Sequence, residues 1–242
     1  MLIRVGSRGS RLALTQAELA AARLRGPGIE IALVPITTAG DRDRMSPFGE
    51  IGARGVFVKE LEEALLDGRI DVAVHSAKDM TSTDTQGLAV GAYLEREDPR
   101  DALCGTAELR PGMRVGTASV RRKAQLLALE PTLSIEPMRG NIDTRLRKRG
   151  ERGLDGIVLA ACGLDRLNLT AEIGHRFDPD EMVPEAGQGA LALQVRAGDE
   201  HLVGAADHAE TRRRGGSRAD AVRLGLTCEC SSRGRRRRRS RC

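Results

Sequence analysis

Two hydrophobic periods alternate along this chain. "LIRV" (2–5) is a short apolar run, and in "SRLALTQAELAAARL" (10–24) apolar residues such as Leu12, Leu19 and Ala22 recur at helical spacing. After Gly26-Pro27-Gly28, "IEIALVPITT" (29–38) is apolar at alternate positions over its first half, as a half-buried strand requires. "VFVKELEEALLDGRI" (56–70) predicts a helix stopped by Gly68, and "DVAVHS" (71–76) the next buried strand. Strands alternating with helices predict an α/β fold whose mostly parallel sheet is covered on both faces.

A second set follows "EREDPRD" (95–101). "MRVGTASVRRKAQLLAL" (113–129) reads as strand, turn and helix; "LSIEPMRG" (133–140) leads into a helix through "NIDTRLRKRG"; and "GIVLAACGL" (156–164) is an apolar strand. "VPEAGQGALALQVR" (183–196) returns to a strand pattern, as if the chain crossed back to complete the first unit. Two α/β lobes are expected: one over 1–93 plus 188–213, the other over 94–187, with 214–242 as an unrelated tail. Ligands of such sheets sit beyond the carboxyl ends of strands, often between lobes.

Charge sharpens this division. The 242 residues carry a formal charge of +5, yet residues 212–242 hold twelve Arg against Asp220 and Glu229, leaving the first 211 residues at −5 with 27 basic and 32 acidic side chains. The body is mildly acidic, which argues against a nucleic-acid partner. Cys104 and Cys162 stand far apart while Cys228, Cys230 and Cys242 crowd the tail, so no disulfide framework is expected. No long apolar run suggests a leader or membrane span, and a cytoplasmic protein is expected.

Several segments carry candidate chemistry. "VGSRGSRLA" (5–13) and "VGTASVRRKA" (115–124) each join a strand to a helix through Gly, hydroxyls and Arg, where free N–H groups and the helix dipole favour an anion. Ser7, Ser10, Thr117 and Ser119 serve equally well as simple caps. Neither segment is a Walker loop or a dinucleotide fingerprint. In "MRGNIDTRLRKRG" (138–150), Arg147, Lys148 and Arg149 suit a solvated face, whereas Arg139 and Arg145 suit bidentate capture of carboxylates. "VHSAKDM" (74–80) ends a buried strand with His75, Lys78 and Asp79, and a lysine beside a carboxylate in a cleft is a plausible acid–base pair. No His or Cys spacing suggests a metal.

"FVKELEEALLDGRIDVAVHSAKDM", "EREDPRDA", "VGTASVRRKAQL", "RGNIDTRL", "AACGLDRL" and "EAGQGALAL", in this order, resemble the porphobilinogen deaminase (hydroxymethylbilane synthase) family over residues 1–213. The resemblance implies two periplasmic-binding-protein-like α/β lobes with mixed, mostly parallel sheets and a cleft between them. It implies a cytoplasmic, monomeric transferase of tetrapyrrole (haem) biosynthesis that joins four porphobilinogen units head to tail and releases ammonia. It also implies Asp79 as the catalytic carboxylate. By the same resemblance Arg8, Ser10, Lys78, Thr117, Ser119, Arg121, Arg122, Arg139, Arg145, Arg166 and Gln188 hold the carboxylates of substrate and cofactor. "MSPFGEIGARGVF" (45–57) matches the mobile segment over the site, with Arg54 at its basic position. Thr81 stands where the family more often has Pro.

The family's cofactor is a dipyrromethane primer, bound through the cysteine of a Gly-Gly-Cys loop in a small third domain. The tail matches neither that loop nor that domain, so no attachment cysteine is expected in this chain. Only four of 39 basic residues are Lys, a bias toward GC-rich codons, and such codons read out of frame yield Arg, Gly, Ala and Ser as the tail does. A nucleic-acid-binding arm and a zinc knuckle are the competing readings, although Cys-x-Cys is the wrong spacing for the latter. The expectation for the chain as written is very low deaminase activity, the alternative function being a catalytically dead bilobed binder of carboxylates or oligopyrroles.

Overall fold

A computed structural model describes residues 1–38, 58–81, 83 and 85–204. The first lobe is a five-stranded sheet of β1 (Leu2–Arg8), β2 (Glu30–Ile36), β3 (Val72–Ser76), β4 (Leu88–Tyr93) and β10 (Leu191–Arg196), ordered β2-β1-β3-β10-β4. The second has β5 (Asp101–Cys104), β6 (Arg114–Gly116), β7 (Ser134–Glu136), β8 (Gly156–Ala160) and β9 (Ile173–Arg176), ordered β7-β6-β8-β5-β9. Both sheets are mixed, with two parallel pairings on one side and two antiparallel on the other. In each, the fourth place is taken by the strand that arrives from the other lobe, β10 in the first and β5 in the second.

Strand alternation distributes the helices. In β3, Val72 and Val74 pack with Ala17, Ala20 and Leu24 of α1 (Arg11–Leu24), while Ala73 faces Leu61, Ala64 and Leu65 of α2 (Lys59–Leu66) on the opposite side. Gly68, at φ 67°, lies just beyond the end of α2, as the sequence predicts. In the second lobe Leu103 and Val158 meet Leu126 of α3 (Val120–Leu129). Ala102, Ile157 and Leu159 meet α4 (Ile142–Glu151) and α5 (Ala161–Arg166).

Two predicted strands end differently. "GIVLAACGL" leaves the sheet at Ala160 and continues as α5, whose first four residues are all buried; a continuous apolar run does not reveal its period. In "VPEAGQGALALQVR" only Leu191–Arg196 is strand, because Pro184 and two glycines at positive φ, Gly187 and Gly189, break the pattern. The segments 94–100 and 183–190 carry the chain between lobes side by side, with Leu94 N donating to Leu191 O (3.0 Å) and Glu97 N to Gly189 O (3.3 Å).

Candidate functional site

The residues singled out by the sequence gather beyond the carboxyl ends of strands. Arg8 ends β1 and Ser10 caps α1; Lys78 and Asp79 form a 3-10 turn directly after β3. Thr117 and Ser119 follow β6, Arg139 follows β7, Arg145 lies on α4 and Arg166 ends α5. Between them runs "GQG". Gly187 (φ 75°) and Gly189 (φ 94°) place Gln188 where no bulkier neighbours fit, since a Cβ on Gly187 would stand 2.9 Å from Lys78 N and one on Gly189 2.4 Å from Glu97 O.

Gln188 is fully buried. Its Oε1 accepts from Lys78 Nζ (3.2 Å), and its Nε2 donates to Pro99 O (2.7 Å) and Asp101 Oδ1 (2.9 Å). The buried Asp101 carboxylate also accepts from Arg122 Nε (3.1 Å) and Nη2 (2.7 Å), and its Oδ2 pairs with Arg121 Nη2 at 2.8 Å. Burial works to raise the Asp101 carboxyl, but Arg122, Arg121 and Gln188 outweigh it and hold the group below its ordinary range.

The site is short of negative charge. Burial and the Arg122 guanidinium push the Lys78 ammonium below its usual lysine value, while Asp79 and Asp101 pull it back. Burial, Arg122 and Arg139 lower Arg145 to about 10, with Asp79 the opposing charge. Beneath them the buried His75 is pushed down by burial, its Nε2 facing Gln194 Oε1 at 3.0 Å. A half-buried carboxylate, Asp79, thus stands among crowded cations that an incoming polyanion would relieve.

The family model described as "Porphobilinogen deaminase, dipyromethane cofactor binding domain" matches residues 3–204. The chain belongs to the porphobilinogen deaminase family. A porphobilinogen deaminase of Syntrophotalea carbinolica is 50% identical over 208 residues, covering 83% of this chain and 66% of the relative. One from Pelobacter propionicus is 46% identical over 203 residues, covering 81% and 66%. The chain thus spans about two thirds of the length of these two deaminases. A Chromobacterium violaceum deaminase is 44% identical over 236 residues, covering 93% of this chain and 76% of the relative. That coverage necessarily reaches past residue 213, where the sequence-level resemblance was expected to stop.

Among solved structures, the methionine-binding protein MetQ superposes with a TM-score of 0.53 at 14% identity, covering 91% of this chain and 94% of MetQ. A periplasmic substrate-binding protein of an ABC transporter from Coxiella burnetii gives 0.50 at 14% identity, covering 87% and 94%. These likenesses show the two-lobed fold.

Within this deaminase-family site, not every expected carboxylate holder faces open space. Arg122 is buried and committed to Asp101 and to Val158 O (3.1 Å). Arg121 pairs with Asp101 and with Glu185 Oε2 (3.0 Å). Arg166, 4% exposed, pairs with Glu97 (3.0 Å) and donates to Gly189 O (2.8 Å), pinning α5 to both crossing segments. Ser10 and Ser119 cap α1 and α3, accepting from Ala13 N and Arg122 N, and Thr117 Oγ1 accepts from Ser119 N (3.2 Å). Arg54 and its segment lie outside the described residues.

Asp101 and the Gln16–Ser76 pair escaped the sequence reading. Gln16 Nε2 donates to Ser76 Oγ at 3.3 Å, and the signal was a Gln on the buried face of α1. Among the described residues no cluster of His, Cys, Asp or Glu suits a metal, and no helix is long and apolar enough to cross a membrane.

Proposed function

We propose that this chain is the substrate-binding and catalytic body of a hydroxymethylbilane synthase. The observation that carries this reading is the single carboxylate of Asp79 set among Lys78, Arg139 and Arg145, in a family whose substrate is a pyrrole bearing acetate and propionate. Loss of ammonia from the aminomethyl carbon leaves an azafulvenium cation. The free α-carbon of a neighbouring pyrrole attacks it, a C–C bond forms, and the α-proton departs. Asp79 faces the pyrrole N–H groups, stabilises the cation and accepts the proton, while the cations hold the carboxylates and orient the ring.

Arg8, Lys78, Arg139 and Arg145 fit the carboxylates of a dipyrromethane; that group, when bound, supplies the first pyrrole α-carbon for chain growth. Its covalent bond does not fit the described cysteines. Cys104 is buried and its thiol is pushed up to about 12 by burial and Glu172, and burial likewise raises Cys162. In this reading the lobes are 1–93 plus 188–213 and 94–187, and the protein is a cytoplasmic monomer whose small-molecule partner is porphobilinogen.

Binding is the decisive test. Calorimetric titration of the 242-residue chain with porphobilinogen is expected to give saturable heat, retained in Asp79→Asn and weakened about tenfold in Arg145→Leu, as loss of one charge-assisted contact implies. Absence of binding by the wild-type chain, or equal affinity in Arg145→Leu, sinks the proposal.

A further inference from the structure

Asp101 takes no part in the chemistry just described, yet it is a fully buried carboxylate engaged by three side chains. It opens β5 and receives Arg121, Arg122 and Gln188 at once. Burying such a group is costly unless its charge is matched: Oδ1 accepts from Arg122 and Gln188, while Oδ2 has the Arg121 guanidinium at 2.8 Å as its ion-pair partner. The match extends further, because the Gln188 amide that donates to Asp101 also accepts from Lys78 in the first lobe. Its orientation is forced from both ends: reversed, the amide would set its NH2 against an ammonium and its oxygen against a carboxylate. Glutamine suits this place because it offers a donor and an acceptor on one rigid plane, with Pro99 O taking its second hydrogen at 2.7 Å.

We propose that Asp101 is the positioning residue of this site: acting through Gln188, it fixes Lys78 Nζ beside Asp79 and ties that placement to the arginine pair of the opposite lobe. The consequence is a polar line, Arg121/Arg122–Asp101–Gln188–Lys78, that crosses between the lobes through direct side-chain contacts. It does two things. It holds the lysine at the turn that carries Asp79, and it supplies the negative charge that lets an ammonium and two guanidinium groups share one partly buried region. The importance of Lys78 placement rests on the proposed function; the line itself does not.

The chain has four lysines, Lys59, Lys78, Lys123 and Lys148, so the 13Cε resonance of Lys78 in labelled protein is assigned by comparison with Lys78→Arg. The titration midpoint of Lys78 is then measured without ligand in wild type, Asp101→Asn and Gln188→Met. Both substitutions remove support for the charged form, one as a charge and one as an acceptor. Each is expected to lower the midpoint by about one pH unit, the scale of a hydrogen bond to a charged group. Gln188→Met leaves the Asp101 ion pairs intact and decides the matter if Asp101→Asn does not fold. A Lys78 midpoint in folded Gln188→Met equal to the wild-type value overturns the proposal. A lowered midpoint in a chain that binds no porphobilinogen sustains the line and sinks the functional reading instead.

Discussion

Gly189→Ala is the substitution whose cost the structure specifies most fully. The residue sits at φ 94°, where an L side chain costs about 1–3 kcal/mol. The new Cβ would also lie 2.4 Å from Glu97 O and 3.2 Å from Glu97 C, atoms of backbone that cannot swing aside as a side-chain end would. Moving that strand of the crossing costs a further ~1–3 kcal/mol on the scale of overpacked interiors. It also disturbs two contacts of the Gly189 carbonyl, from Glu97 N (3.3 Å) and Arg166 Nη2 (2.8 Å). A total of about 2–6 kcal/mol lowers the melting temperature by roughly 5–20 °C in a protein of this size. Gly198→Ala is the control, since Gly198 has a similar φ of 97° but nothing within 4 Å of its would-be Cβ. Thermal melts of both variants by circular dichroism separate conformational strain from collision. If Gly189→Ala melts within about 2 °C of Gly198→Ala, the collision argument is wrong.

Other expectations follow from single groups. The Asp71 carboxyl, 13% exposed, accepts from Arg4 N and Nε at 2.9 Å and meets Arg196 Nη2 at 3.1 Å; although burial works to raise it, these contacts hold it at about 2. Its folded value lies below its unfolded one, so it contributes about 2–3 kcal/mol above pH 4 that disappears as pH falls toward 2. Urea titrations at pH 7 and pH 2 should therefore show a gap between wild type and Asp71→Asn that closes in acid, and a gap independent of pH refutes the assignment. The buried thiols of Cys104 and Cys162 should resist iodoacetamide at pH 8 in the native chain and react in urea. Peptide mass mapping distinguishes them from the other cysteines, and rapid native labelling of either contradicts the structure.

How much of this was legible beforehand depends on how local each determinant is. The Gly68 stop and the buried apolar run of β3 are short-range physics and were read from adjacent residues, as was capping as one of two roles open to Ser10 and Ser119. The extent of α5 was not, because Ala161, Cys162, Gly163 and Leu164 are all buried and an unbroken apolar stretch carries no period. Asp101 was hidden for a different reason. It is one of four acidic residues within "EREDPRD", and only the pairing of β5 between β8 and β9 makes it the buried one. The tightness of "GQG" is likewise invisible along the chain, since the atoms that exclude a Cβ belong to residues 77–78 and 97. For Arg121, Arg122 and Arg166 the residue type was informative and the partner was not. An arginine beside a cleft can meet a ligand or a neighbouring carboxylate, and the carboxylate partners, Asp101, Glu185 and Glu97, come from distant parts of the chain.

The register of the first sheet also bears on how such a protein could be rearranged. Tyr93, the last residue of β4, stands directly opposite Ala192 near the start of β10. The whole second lobe therefore departs from and returns to two neighbouring positions, as a loop does from a hairpin. A short turn in place of residues 94–190 would leave the first sheet with all five strands in their present order. The second lobe is in this sense a cassette, exchangeable between relatives at one pair of junctions. Any such exchange carries Gln188 and Asp101 over together, and must still match Lys78 of the first lobe, which donates to Gln188 across the junction.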